Sequence, residues 1–224
     1  MCYSVKTSIL SFSLGLIASI FAFLSRQFIL GTLILFYSQM QLSEAIIWRG
    51  IDTKNISLNK MGTSYGKYLL PTHNIAIGIG ILLSIIFVDK KILKPTDFIP
   101  LVVGIIFFVC IVILQYSRKQ YNDITYPANP SCIDRSCQNN ENRLRWPYPH
   151  HWYMISYVIS LIFLLIYIKP LASKIFLGSM FSITFFMSAI LVPKSVGSVW
   201  CFSTAILAPV LVLGNYFMIN KASY

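Results

Sequence analysis

The sequence predicts an all-α polytopic membrane protein, a bundle of seven transmembrane helices in a single domain spanning residues 1–224. Three observations carry that expectation. Charged residues make up 11% of the chain, against roughly 25% in soluble domains. Hydrophobic residues make up 56%, and the mean hydropathy is +0.70. The apolar residues also fall into seven runs, each near the roughly 17–25 residues that a bilayer-crossing helix needs.

In chain order these runs are 7–24, 28–48, 68–88, 98–116, 152–168, 174–192 and 199–219. Lys6 ahead of the first run is also the layout of a signal peptide. The run is long for one and no small-x-small site closes it, so it reads as a retained helix. Cleavage would leave six spans. Short connections, several with proline or a charge cluster, join most neighbours into antiparallel pairs. Two longer stretches, 49–67 and 117–151, read as loops, and with seven spans both lie on the side of the N-terminus.

Orientation follows lysine and arginine. Eleven lie on the N-terminal side and seven opposite; without the five in the long 117–151 loop the split is six to seven and decides nothing. Two other features point one way. Cys132 and Cys137 share the long polar loop, five positions apart, a spacing that closes a small disulfide ring in an oxidising compartment. Zinc is the alternative, but with His150 and His151 the spacing matches no standard zinc pattern. Asn55-Ile56-Ser57 is an N-glycosylation sequon. Both features place the long loops in the lumen or exterior and the C-terminus in the cytoplasm. Cys110 and Cys201, inside apolar runs, read as small buried hydrophobes. The net charge of +11 and pI near 9.5 belong with helix ends facing phosphate head groups. No basic residues cluster on a soluble face or tail, which argues against nucleic acid as a partner. The bilayer is the expected partner, and the oligomeric state is open.

The informative stretch is 37–48. It ends an apolar run, yet holds Gln39, Gln41 and Glu44. Tyr37, Gln41, Glu44 and Trp48 share one helical face, and a carboxylate within a membrane helix is a functional-site hypothesis by default. Alternating helix direction sets His73 and Asn74 of the third run at the depth of Glu44. The same reasoning brings His151 and Trp152 of the fifth run, and Trp200 of the seventh, toward that end.

Three readings compete. The polar groups satisfy one another and fix packing; or they line a pocket for a small molecule, ion or proton; or Glu44 and the histidines hold a catalytic metal. His150 and His151 are adjacent and diverge by about 100° on a helix, which disfavours the metal. No metal ligands and no catalytic residues are therefore assigned. Trp48, Trp146, Trp152 and Trp200 also fit an aromatic belt at head-group level, and Asn215 in the last span reads as a satisfied amide.

A retinal protein needs a lysine within the last span. Here Lys194 and Lys221 lie outside it, so no cofactor is expected. Asp89-Lys90-Lys91 and Asn215-Tyr216-Phe217 are not receptor motifs, and no histidine follows His151 as a ceramidase-like hydrolase would require. Met40-x-x-x-Glu44-x-x-x-Trp48, Leu58-Asn59, His73-Asn74, the Cys132…Cys137 loop leading to Trp146, and Ser198-Val199-Trp200-Cys201-Phe202 resemble a family of uncharacterised seven-helix proteins of bacteria and large DNA viruses. That resemblance implies a multi-pass membrane protein with the Glu44/His73 level as its signature, and implies no activity. The expected function is binding of a small molecule, ion or proton, as permease or sensor. Glu44, His73, Gln41 and Asn74 would be the polar groups, with Tyr37, Trp48, His151, Trp152 and Trp200 around them. A structural or interaction protein is the alternative, and an intramembrane metal-dependent hydrolase a third.

Overall fold

Small side chains set the architecture. A computed structural model describes residues 4–117, 124–127, 144–146, 150–191 and 196–221, and within them the chain is almost entirely helical. The helices are α1 (Val5–Leu24), α2 (Phe28–Asp52), α3 (Ile56–Leu69), α4 (His73–Phe87), α5 (Ile99–Ser117), α6 (His150–Tyr167), α7 (Leu171–Leu191) and α8 (Val196–Lys221). Five helical stretches are long and apolar enough to cross a membrane: Val5–Leu24, Ile56–Phe87, Pro95–Leu114, Leu171–Ile190 and Val199–Asn220. In α6 the apolar part, Val158–Tyr167, is shorter. Gln39, Gln41 and Glu44 interrupt the hydropathy of α2.

α2 is the axis of the bundle, with α1, α3, α4 and α8 packed around it and α5, α6 and α7 further out. Sixteen of its 25 residues are buried. The buried face of α1 is Ser8, Ser11, Gly15, Ala18, Ser19 and Ala22, which lets the two backbones approach closely. A Cβ on Gly15 would lie 2.0 Å from the Ser38 hydroxyl. The Ser19 hydroxyl donates to the Gly31 carbonyl at 2.8 Å. Meanwhile Ile9, Leu10, Ile17 and Ile20 of α1 point outward. The outward faces of α5 and α7 are likewise apolar, with Ile105, Ile106, Ile113, Ile183, Phe186 and Ile190 exposed. A soluble helix does the reverse.

The structure corrects the reading of 49–67 as a loop. α2 runs on to Asp52, and a three-residue turn leads directly into α3. Asn55 caps that helix, its side chain accepting the Leu58 N–H at 3.1 Å; the sequon asparagine is exposed there. Hydropathy misses α3 because its inward face is Asn59, Gly62, Thr63 and Gly66. The third run therefore starts earlier than residue 68. Pro71 sits in a 3-10 joint, Leu70–Thr72, between α3 and α4. Proline has no N–H to continue the α ladder, and a tighter turn carries the chain past it.

After α5, residues 124–127 and 144–146 pack back onto α3. β1 (Tyr126–Pro127) and β2 (Leu144–Arg145) pair antiparallel, Tyr126 with Arg145 and Pro127 with Leu144. Thr125, next to β1, is clasped by α3. Asn59 Nδ2 donates to its carbonyl at 2.9 Å, and its N–H donates to Asn59 Oδ1 at 3.0 Å. Its hydroxyl meets that of Thr63 at 2.8 Å. Beyond β2 the Trp146 ring lies on Gly66, where a Cβ would come within 2.6 Å of it. Cys132 and Cys137 lie between the strands, outside the described residues. Cys201 is buried as expected, whereas Cys110 is exposed on α5.

At the opposite end the α1–α2 turn, the end of α4, the α6–α7 turn and the end of α8 converge around one cavity. This convergence fits helices that alternate in direction.

The Gly66 seat yields a first prediction. Gly66→Leu drives a side chain into Trp146 and the Ser43 hydroxyl, an overpacking cost of about 1–3 kcal/mol. Thermal unfolding in detergent should begin lower, and the Thr125 amide should lose hydrogen-exchange protection. An unchanged Thr125 protection would mean the ribbon is not held through this seat.

Candidate functional site

Glu44 and Gln41 are completely buried, at 0% exposure. Gln41 Oε1 accepts the Ser11 hydroxyl of α1 at 2.8 Å. Its amide Nε2 donates to Glu44 Oε2 at 3.4 Å. The carboxyl group therefore lies in the seam between α1 and α2, where the serine face of α1 leaves room for it. Since the helices are antiparallel, three residues before Ser11 and three after Gln41 lead the same way, and Ser8 stands level with Glu44. Trp48 follows Glu44 by one turn and is 3% exposed. Among the described residues, neither Trp48 Nε1 nor the Ser8 hydroxyl has a hydrogen-bond partner, although both atoms are buried. Buried polar atoms are paired in the great majority of cases, so an indole donor and a hydroxyl left without described partners, one turn from Glu44 and level with it, mark a place where something polar is wanted.

On its other side Glu44 adjoins the α3 seat. The Ser43 hydroxyl donates to the Gly62 carbonyl at 2.7 Å. Gly50, Gly62 and Gly66 bring the α2 and α3 backbones together: a Cβ on Gly50 would lie 2.6 Å from the Asn59 nitrogen.

The same register corrects the depth expected for His73 and Asn74. Gly66 faces Ser43, and Gly80 faces Ile29 and Thr32. Seven residues separate Gly66 from His73, so the imidazole's backbone is about 10 Å further along the bundle at the helical rise. His73 is buried, and its Nδ1 bonds the Leu70 carbonyl in the joint above it. A carbonyl only accepts, so Nδ1 carries the hydrogen. Asn74 is also buried and turns to α6, its Oδ1 accepting the Ser160 hydroxyl. Gly104 of α5 packs on the Asn74 backbone. His73 Nδ1 thus serves the α3–α4 joint, and Asn74 Oδ1 the α4–α6 interface.

Among the described tryptophans there is no lipid-facing belt. Trp48, Trp146 and Trp200 are all buried. Tyr37 meets Trp200 edge-on with ring centroids 5.3 Å apart, and Phe185 meets the other side of Trp200 at the same separation. The Trp200 indole N–H donates to the Thr184 hydroxyl at 3.1 Å. Tyr37 and Trp200 therefore close an aromatic layer joining α2, α7 and α8, two turns from Glu44, rather than walls of an open pocket. α6 begins at His150, four residues after Trp146, which places its start at the Glu44 end. The side chains of His151 and Trp152 lie outside the described residues.

No three histidine, cysteine, aspartate or glutamate side chains gather in metal-binding geometry among the described residues. Ser8 and Ser11 escaped the sequence reading. Their signal was a run of serine, glycine and alanine on one face of the first apolar segment, which reads equally as ordinary helix packing.

Comparison with protein-family models, with curated proteins and with solved structures finds no match. The residue roles therefore rest on the geometry alone.

The Ser11–Gln41 bond can be weighed directly. Intramembrane side-chain pairs contribute about 0.6 kcal/mol on average and up to about 1.7 kcal/mol. A double-mutant cycle of Ser11→Ala and Gln41→Ala, read by unfolding in mixed micelles, should return a coupling in that range. A coupling indistinguishable from zero would show that the seam is not held by this contact.

Proposed function

We propose that the chain is a seven-span integral membrane protein, a permease or sensor, that binds a small polar molecule, cation or proton in the α1–α2 seam at Glu44. The membrane part is supported by five helical stretches of sufficient length and apolarity, and by helices such as α1 that bury serine and glycine while exposing isoleucine. The binding part rests on one observation: Ser8 Oγ and Trp48 Nε1 are both buried and without partners among the described residues, Ser8 level with the wholly buried Glu44 and Trp48 one helical turn beyond it. A small polar molecule, or the water of a hydrated cation, can accept from the Trp48 indole and bond the Ser8 hydroxyl. Glu44 supplies charge or proton exchange, and Gln41, fixed by Ser11, orients it. His73 and Asn74 become supports of the helix frame.

A packing role is the second reading. It is favoured by the interhelical bonds Ser11–Gln41 and Asn74–Ser160, which fasten α2 to α1 and α4 to α6.

Glu44→Gln separates the two, since it keeps size and hydrogen bonding while removing the charge. Proteoliposomes should take up protons, sodium or potassium faster than protein-free vesicles under an imposed gradient. Glu44→Gln should abolish that flux with the unfolding midpoint unchanged or raised. If the parent shows no flux of these ions and no stabilisation by any of them, and Glu44→Gln alters only the midpoint, the packing reading stands.

A further inference from the structure

The cavity at the far end of the bundle is a second site. It encloses about 760 Å³, within the range of small-ligand pockets. Its lining is largely apolar, with Phe28, Leu30, Ile81 and Ile85 among the buried or part-buried residues that form it. Two amides, Gln27 and Asn215, also line it, exposed by only 5% and 4%.

The amide orientations are determined by their partners. Gln27 Nε2 donates to the Val212 carbonyl at 3.2 Å and to the Ser25 hydroxyl at 3.0 Å. A carbonyl accepts only, so Oε1 is the atom turned toward Asn215, and it takes the Asn215 Nδ2 hydrogen at 2.7 Å. Asn215 Oδ1 is then left buried and without a partner among the described residues. The expected satisfied amide is thus half satisfied, and a residue lining the cavity keeps a buried acceptor without a described donor.

The rim is cationic. Arg26 and Lys169 line the mouth with a single carboxylate, Asp89. Asp89 is already shared by Lys169 at 3.7 Å and Lys91 at 3.9 Å. Arg26 makes no ion pair among the described residues. It occupies a left-handed backbone conformation, φ 60°, at the C′ position closing α1: its N–H bonds the Phe23 carbonyl, and the Gln27 N–H bonds that of Ala22. Glycine is the usual residue there. The first turn of α2 also ends at the cavity, and its N-terminal dipole favours an anion.

We propose that this cavity holds the head group of an anionic phospholipid carrying a free hydroxyl, with one acyl chain along the isoleucine wall. The phosphate sits between Arg26 and Lys169, and the head-group hydroxyl donates to Asn215 Oδ1. The proposal uses the membrane reading above but not Glu44. If alkaline carbonate releases the chain from membranes, that reading fails separately, whatever happens at the cavity.

The test titrates the purified full-length chain in detergent with phosphatidylglycerol, phosphatidylmethanol, phosphatidylcholine or free glycerol phosphate, reading the thermal midpoint and bound lipid by native mass spectrometry. Phosphatidylglycerol should act at a concentration about tenfold lower than phosphatidylcholine, the factor one charge-assisted hydrogen bond provides. Phosphatidylmethanol, with the same charge and no hydroxyl, should be weaker than phosphatidylglycerol, and glycerol phosphate should be inactive. Arg26→Gly suits the φ 60° backbone, so it should fold at least as well as the parent yet lose the preference for phosphatidylglycerol over phosphatidylcholine. Equal responses to phosphatidylglycerol and phosphatidylcholine, or an unaltered preference in Arg26→Gly, would overturn the proposal. Equal binding of phosphatidylmethanol would overturn the Asn215 contact, and equal binding of glycerol phosphate would overturn the lipid as its source.

Discussion

The close approach of helices to α2 is the constraint on which the rest of the structure depends. A carboxyl group can be held in an apolar bundle only if neighbouring backbones come near enough to bring polar atoms to it. α1 does this by presenting Ser8, Ser11, Gly15 and Ser19, and α3 by presenting Gly62 and Gly66 opposite Ser43 and Ile47. Replace either face with leucines and the axes separate, which strips Gln41 and Glu44 of their surroundings. The polar seam and the small-residue faces are one device.

That device also explains the reversed polarity of the outer helices. In water, burial of apolar area drives helices together. In lipid it cannot, because an isoleucine gains little by exchanging an acyl chain for a neighbouring side chain. Close van der Waals packing and interhelical hydrogen bonds remain. The bonds observed between elements are of that kind: Ser19 to the Gly31 carbonyl, Ser43 to the Gly62 carbonyl, Gln27 to the Val212 carbonyl, Trp200 to Thr184. Bulky residues such as Ile113 of α5 and Ile190 of α7 are left facing out.

Much of this was legible in the sequence, and what was missed has a physical cause. Long apolar runs declare helices because each residue votes for the same environment, so α1, α5, α7 and α8 were placed nearly end to end. α3 was read as a loop because its contribution to packing is made by absent side chains; hydropathy cannot distinguish a glycine in a helix seat from a glycine in a turn. Glu44 was found since a charge in an apolar run stands out, but its partners on α1 were not, since serine there is unremarkable. An apolar boundary at residue 68 sets His73 too close to the level of Glu44. The helix had in fact begun at Ile56, and the register with α2 is set by glycine contacts that no hydropathy window reports. The pairing of Asn215 with Gln27 joins residues 188 apart, a separation no local pattern spans.

The two ends of α2 are physically separate. Between the Glu44 seam and the cavity at Phe28 lies the aromatic layer of Tyr37, Phe181, Phe185 and Trp200, with Trp200 anchored to Thr184. Interlocked rings of this kind resist small displacements, because a close-packed interior is not continuously deformable. Transmission from one end to the other would need α2 to move as a rigid rod against α1, and the Ser11–Gln41 and Ser19–Gly31 contacts oppose such sliding at two levels. A molecule seated in the cavity therefore acts on the bundle by tying the α1–α2 turn to α8 and to the α6–α7 turn, raising the stability of the whole. The surroundings of Glu44 are then set by the α1–α2–α3 contacts around it.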